Sequence, residues 1–248
     1  MGTIYILWQR QIKRYLRSKA RILGSLGQPI LFLLALGFGF GPTFAKAGGG
    51  DYLSFLAPGI IAMSIIFTAT FSGMEVIWDR QFGFLKETLV APVSRVKIML
   101  GRTLGGATVA VFQGLIVLLI AMLAGAQVGN WFMIPVAILF MFLIALLFTA
   151  VGTAIASVLE DMQGFQLIVN FFIMPLFFLS GALFPLDALP GIITLIVRLN
   201  PLSYGVDGIR GALTGTSAIG MPTDFVVLIL VTGFFLWVGS YLFSKIQM

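Results

Sequence analysis

The chain has no cysteine and no histidine in 248 residues. That excludes disulfides, thiol chemistry, zinc sites built on either residue, and a histidine general base. Charge is scarce as well, at 10% of residues against about 25% in soluble domains. Acidic residues number nine, and Asp187, Asp207 and Asp224 lie scattered near the ends of apolar runs, so no carboxylate cluster suggests a metal. There is no Gly-Lys dipeptide, and therefore no phosphate-binding loop of the Gly-x-x-x-x-Gly-Lys-Ser/Thr type. If ATP is used, another chain binds it. The serines have no visible base, which argues against an embedded hydrolase.

What is present is apolar. The chain is 59% hydrophobic with a mean hydropathy of +1.07. Runs of about 20 apolar residues recur, the length that crosses a bilayer's hydrocarbon core. Six spans are predicted, at 23–41, 57–77, 103–125, 132–157, 165–184 and 223–243. Ala45-Lys46-Ala47 resembles a signal cleavage site, but the preceding apolar run exceeds the ~7–15 residues of a signal core, so it reads as a retained first span. Two units follow, an N-terminal interfacial helix over 1–22 and a six-span membrane domain over 23–248.

The net charge of +6 sets topology rather than marking a nucleic-acid binder. With the N-terminus in the cytoplasm, twelve Lys and Arg side chains fall on that side. Only Lys46, Arg198 and Arg210 fall on the other. The positive-inside rule therefore predicts both termini in the cytoplasm.

Residues 4–22 have helical periodicity. Ile4, Trp8, Ile12, Tyr15 and Ile22 share one face, and Arg10, Lys13, Arg14, Arg17 and Arg21 the other. Such a helix suits the headgroups of an anionic leaflet. It serves either as an anchor alone or also as a contact for a cytoplasmic partner.

The stretch 78–102 is a polar island between two apolar runs. Asp79 through Val90 can form a helix, ended by Ala91-Pro92, and Ser94 can cap the next one. Phe82, Leu85 and Leu89 give it an apolar face, with Arg80, Lys86 and Glu87 on a polar one. It either docks in a groove of another protein or rests on lipid headgroups.

Residues 185–222 are too apolar for a solvated loop and too broken for a span. Asn200-Pro201 reads as a cap and first-turn proline, Leu202, Val206, Ile209 and Leu213 form one face, and Gly215 is the stop. Two short re-entrant helices follow. Mid-span, Gln113 and Asn170 either glue helices together or line a path. Gly101-x-x-x-Gly105, Gly125-x-x-x-Gly129 and Gly211-x-x-x-Gly215 are weak signals for close helix contact. Ionisable groups at bilayer depth, which ion-coupled carriers use, are few.

Two blocks resemble a known family. Trp78-Asp79-Arg80-Gln81-Phe82-Gly83-Phe84-Leu85-Lys86-Glu87, with Leu89, Ala91-Pro92, Ser94-Arg95 and Leu100-Gly101-Arg102, is similar to the cytoplasmic loop of type-2 ABC exporter permeases. The daunorubicin-resistance and polysaccharide-export permeases belong to that group. Leu179-Ser180-Gly181, Phe184-Pro185, Leu189-Pro190 and Leu199-Asn200-Pro201-Leu202-Ser203-Tyr204, with Asp207, Arg210 and Gly215, resemble its outer loop after the fifth span. The chain departs at Gln81 and at Phe84-Leu85-Lys86, where many members carry an acid and Thr-Leu-Glu.

The resemblance implies an all-α membrane protein of a prokaryotic plasma membrane, working as a dimer above two cytoplasmic ATPase subunits. ATP and Mg would sit on those partners, with no cofactor in this chain. Arg80, Gln81, Phe82, Gly83, Phe84, Leu85, Lys86, Glu87 and Leu89 would couple to the ATPase. Trp8, Arg10, Lys13, Arg14 and Arg17 would belong to an interfacial helix flanking them. Pro185, Asn200, Pro201, Tyr204, Asp207 and Arg210 would form an outer gate. The expected role is export of an amphipathic drug, lipid or glycan-like molecule. A carrier or channel that works without ATP is the alternative.

Overall fold

The computed structural model describes residues 2–46, 50–84, 93–185 and 190–246. Their regular structure is all helical, with no strand among them. Helix α1 is Gly2–Arg17, α2 Lys19–Lys46, α3 Tyr52–Ser72, α4 Met74–Gln81 and α5 Arg95–Leu123. A short 3-10 turn, Trp131–Met133, leads into α6, Ile134–Val158, followed by α7, Met162–Phe178. Then come α8, Gly191–Leu199, α9, Pro201–Thr214, and α10, Met221–Ser244.

Local signals set several boundaries. Asp51 accepts from the backbone N–H groups of Leu53 and Ser54, both at 3.2 Å, and opens α3. Asp161 does the same for α7 through Gly164 N–H at 2.5 Å. Asn200 accepts from Leu202 N–H at 3.0 Å, Pro201 takes the first helical position, and Gly215 ends α9 at φ +77°. The cap, the proline and the stop stand where the sequence puts them. Leu202, Val206, Ile209 and Leu213 are all buried, as their spacing predicts.

Among the described residues, five helical segments are long and apolar enough to cross a membrane: Lys19–Lys46, Tyr52–Gln81, Arg95–Leu123, Trp131–Val158 and Met221–Ser244. The predicted span at 165–184 corresponds to α7, which has 17 residues and leaves helical geometry at Leu179. Of the apolar window in Tyr52–Gln81, 78% is buried, against 22% for α2 and 17% for α10. So α3 and α6 form the centre, and α2 and α10 lie at the periphery with apolar faces outward.

The centre is built on missing side chains. A Cβ on Gly73 would strike the backbone of Gly152, and one on Gly152 would strike Thr70. A Cβ on Gly106 would lie 2.5 Å from Ser72 Oγ. Helices α3 and α6 therefore meet backbone to backbone where α3 gives way to α4, and Gly106 lets α5 close on the Ser72 and Thr149 side chains beside them.

Candidate functional site

The segment after α4 differs from the single helix expected from Asp79 through Val90. Helix α4 ends at Gln81, Phe82 turns out of helical geometry at φ −92°, ψ 6°, and Gly83 stands at φ +80°. Only glycine adopts that conformation readily. Leu85, Lys86, Glu87 and Leu89 lie outside the described residues. Of the rest, Phe82 and Phe84 are exposed at 65% and 52%, beside Trp78 at 42%. The Trp78 and Phe82 rings sit 5.9 Å apart. This is an aromatic surface at one end of the bundle.

Arg80 does not belong to that surface. Its guanidinium donates to Leu159 O and Ser157 O, both at 3.2 Å, closing the C-terminus of α6. Gln81 Nε2 donates to Glu160 O at 3.1 Å. Arg95 likewise donates to Ser244 O and Ile246 O at the end of α10. Three polar residues thus clamp the ends of α6 and α10 to the polar island.

Helix α1 is packed against the bundle. It runs parallel to the first half of α5 and in register with it. A Cβ on Gly101 would fall 2.9 Å from Leu7, and one on Gly105 2.6 Å from Gln11. The Gly101-x-x-x-Gly105 pattern is therefore a true close-packing face. The other two are different: Gly125 and Gly215 have positive φ and serve turns. Trp8 Nε1 donates to Thr108 Oγ1 at 3.0 Å, and the Tyr15 hydroxyl donates to Gln113 Oε1. Two aromatics expected at headgroups thus contact α5.

The basic face of α1 is partly paired. Arg10 lies 3.6 Å from Asp79, and Arg14 3.7 Å from Glu75. Arg21, at the start of α2, reaches Glu75 at 3.1 Å. Asp79 also accepts from Arg102 of α5, and both side chains are only 6% exposed. Lys13 and Arg17 remain exposed. Sequence spacing could not find these pairs, because they join helices far apart in the chain.

At the other end, residues 190–222 form a hydrogen-bonded bracket. Asn200 Nδ2 donates to Leu176 O at 2.7 Å and Leu179 O at 3.1 Å. The Tyr204 hydroxyl donates to Arg198 O at 2.7 Å. Arg210 donates to Gly181 O at 2.8 Å and lies 4.1 Å from the Phe55 ring centre. Burial lowers its pKa to about 10, offset in part by Asp207, so it stays charged at neutral pH. Asp207 accepts from Ser217 Oγ at 2.7 Å and from the N–H groups of Ala218 and Ile219 at 2.9 Å. Burial would raise its pKa, but these donors prevail and hold the carboxyl below its ordinary value. Pro185 lines the small cavity beside Asp207 and Arg210. Asp224, in the sequence one of three scattered carboxylates, is fully buried at the start of α10.

The two mid-span amides do not meet. Gln113 is fully buried between α1 and α5, whereas Asn170 lies exposed on α7 beside Phe171. Two cavities flank α2 instead. One, of about 440 Å³, is walled by aromatic rings including Phe32, Phe44, Tyr52 and Phe178. The other, of about 270 Å³, mixes Arg21, Ser25, Gln28, Ser64 and Thr68 with apolar residues.

The described residues thus form a bundle of membrane-length helices, with an exposed aromatic surface at one end and a hydrogen-bonded pair of short helices at the other, the architecture of a membrane-embedded protein. The chain belongs to the ABC-2 type transporter family, whose model matches residues 3–214. It is 30% identical over 213 residues to nodulation protein J of Rhizobium leguminosarum bv. trifolii, covering 85% of this chain and 78% of that one. It is 29% identical to the putative transport permease ycf38 of Cyanophora paradoxa, covering 98% and 88%. It is also 27% identical to the inner membrane transport permease YadH of Escherichia coli (strain K12), covering 93% and 90%. The chain is accordingly a transmembrane transport permease and not an enzyme. ATPase activity in this family lies in a separate subunit that works with the permease.

Proposed function

We propose that this chain is the membrane subunit of an ATP-driven exporter and that an ABC ATPase docks on the segment from Trp78 to Leu89. The observation that carries the reading is the exposed Trp78, Phe82 and Phe84 group, set on an end that Arg80 and Gln81 tie to α6. A push on those rings reaches α6 through Arg80, and α1 and α5 through Asp79. Such a lever lets nucleotide state on the partner bias the spans, provided the two states bind nucleotide differently. ATP and Mg are held by the partner.

In this reading the helices make six spans: α2, α3 with α4, α5, α6, α7 and α10. Seventeen residues put α7 at the short end of the spanning range of about 17–25. Both termini lie in the cytoplasm of a prokaryotic cell, and α8 with α9 forms the outer gate. A second copy of the chain completes the transporter. The outward apolar faces of α2 and α7, with Leu31, Phe38, Leu167 and Phe171 exposed, support a lipid and partner boundary there. The aromatic cavity beside α2 supports an amphipathic substrate. Co-purification of the tagged chain from its own cells tests this directly. Recovery of an ABC ATPase whose hydrolysis responds to the permease supports it; gradient-driven transport by the purified chain alone contradicts it.

A further inference from the structure

The cavity between the start of α2 and the middle of α3 has a built polar lining. Arg14 and Arg21 converge on one carboxylate, Glu75, at 3.7 and 3.1 Å. Two guanidiniums around one carboxylate leave a net positive charge. Their side chains are 39% and 36% exposed, against 11% for Glu75. Each has five N–H donors in total, and one buried carboxylate does not occupy both sets.

Above this charge lies the cavity of about 270 Å³, lined by Arg21, Ser25, Gln28, Ser64, Thr68 and Phe71. A neighbouring cavity of about 290 Å³ shares Arg21 and Phe71 and adds Arg14 and Glu75. The Ser64 residue is 2% exposed, and its hydroxyl has no partner among the described residues. A buried, unpartnered hydroxyl in a cavity wall is a position a ligand oxygen satisfies. The wall is open at Gly24, where a Cβ would meet nothing within 4 Å. Beyond it α2 is apolar and faces outward, with Leu23 and Leu31 exposed at 72% and 68%.

Cation at one end, hydroxyls along the wall and an apolar outer face match one chemistry. We propose that this groove binds the phosphate-bearing head of an anionic amphiphile, with Arg14 and Arg21 on the phosphate and the hydrocarbon chain along α2. The proposal rests on the orientation argued above, which places the arginines at the cytoplasmic leaflet, where anionic heads reside. The source is either a resident phospholipid or the transported molecule; both carry the same head.

The test uses the full chain purified from vesicles of equimolar phosphatidylglycerol and phosphatidylcholine, with bound lipid counted by native mass spectrometry. Wild type retains phosphatidylglycerol over phosphatidylcholine by roughly tenfold. Arg21→Gln reduces that preference. Gly24 lines the groove, so Gly24→Leu narrows it and abolishes the preference, while the fold is kept, because a Cβ there meets nothing within 4 Å and leucine favours helix over glycine. Equal retention of the two lipids, or an unchanged preference in Gly24→Leu, overturns the proposal. No ATPase is present in this measurement, so that failure leaves the exporter reading standing. In proteoliposomes with the ATPase, ATP-dependent movement of fluorescent phosphatidylglycerol identifies the occupant as cargo. Selective retention without movement identifies it as resident lipid.

Discussion

Arg102 and Asp79 form an ion pair in which both side chains are 6% exposed, joining the third long apolar helix to the end of α4. Arg102 Nε and Nη1 are buried with no further partner among the described residues. Removing Asp79 therefore strands Arg102, whereas Asp79 keeps Arg10 at 3.6 Å. Asp79→Ala is expected to destabilise the chain by about 3–5 kcal/mol, whereas a paired Asp79→Leu, Arg102→Met change loses far less. Thermal unfolding in detergent checks this; a single variant as stable as the pair would show that the contact is dispensable.

The Tyr15–Gln113 hydrogen bond separates two roles for a mid-span amide. Tyr15→Phe leaves the Gln113 side chain buried without its partner, at an expected loss of about 1–3 kcal/mol. Adding Gln113→Leu restores most of it if the amide is helix glue. A double-mutant cycle on melting temperature measures the coupling. Transport that collapses in the stable double variant would instead place Gln113 on the pathway.

At the centre of the bundle, Gly73→Ala or Gly152→Ala forces two backbones apart. Overpacking of this kind is expected to lose about 1–3 kcal/mol or more. Gly39→Ala, where a Cβ meets nothing within 4 Å, is expected to be neutral or better. Comparable losses at the two kinds of site would mean the glycine contact is not what sets the packing.

Asp207 supplies a pH dependence with a defined sign. Burial is outweighed by hydrogen bonds from Ala218, Ser217 and Ile219, which hold its carboxyl below its ordinary value in the folded state, so its contribution is present at neutral pH. It is lost as pH falls below the ordinary carboxylate range and through the lowered folded value. Asp207→Asn removes that contribution at neutral pH and flattens the acid limb of a stability profile. A variant with an unchanged acid limb would assign the loss to other carboxylates.

Features that depend on neighbours in sequence were legible. The Asn200-Pro201 start and Gly215 stop of α9 follow from local backbone chemistry. The amphipathic pattern of α1 and the apolar runs follow from periodicity. Features that depend on distant partners were not. Arg80 looks like the polar face of an island helix, yet it closes α6, because Ser157 and Leu159 are brought to it only by folding. The helix expected from Asp79 to Val90 is interrupted at Gly83, whose positive φ no side-chain pattern announces. Gln113 and Asn170 are both amides in apolar runs, and only packing puts one inside and one on the surface.

The central claim is that an ATPase drives this permease through the aromatic segment after α4. Phe82 is 65% exposed and outside the core, so Phe82→Asp leaves the fold intact while altering that surface. Gly83→Pro cannot hold φ +80°, since proline fixes φ near about −65°. The decisive measurement is ATP-driven transport together with ATPase co-purification, for wild type and these two variants at equal expression. The account predicts loss of the ATPase, or hydrolysis without transport, in both. Full co-purification with undiminished transport in both would contradict it.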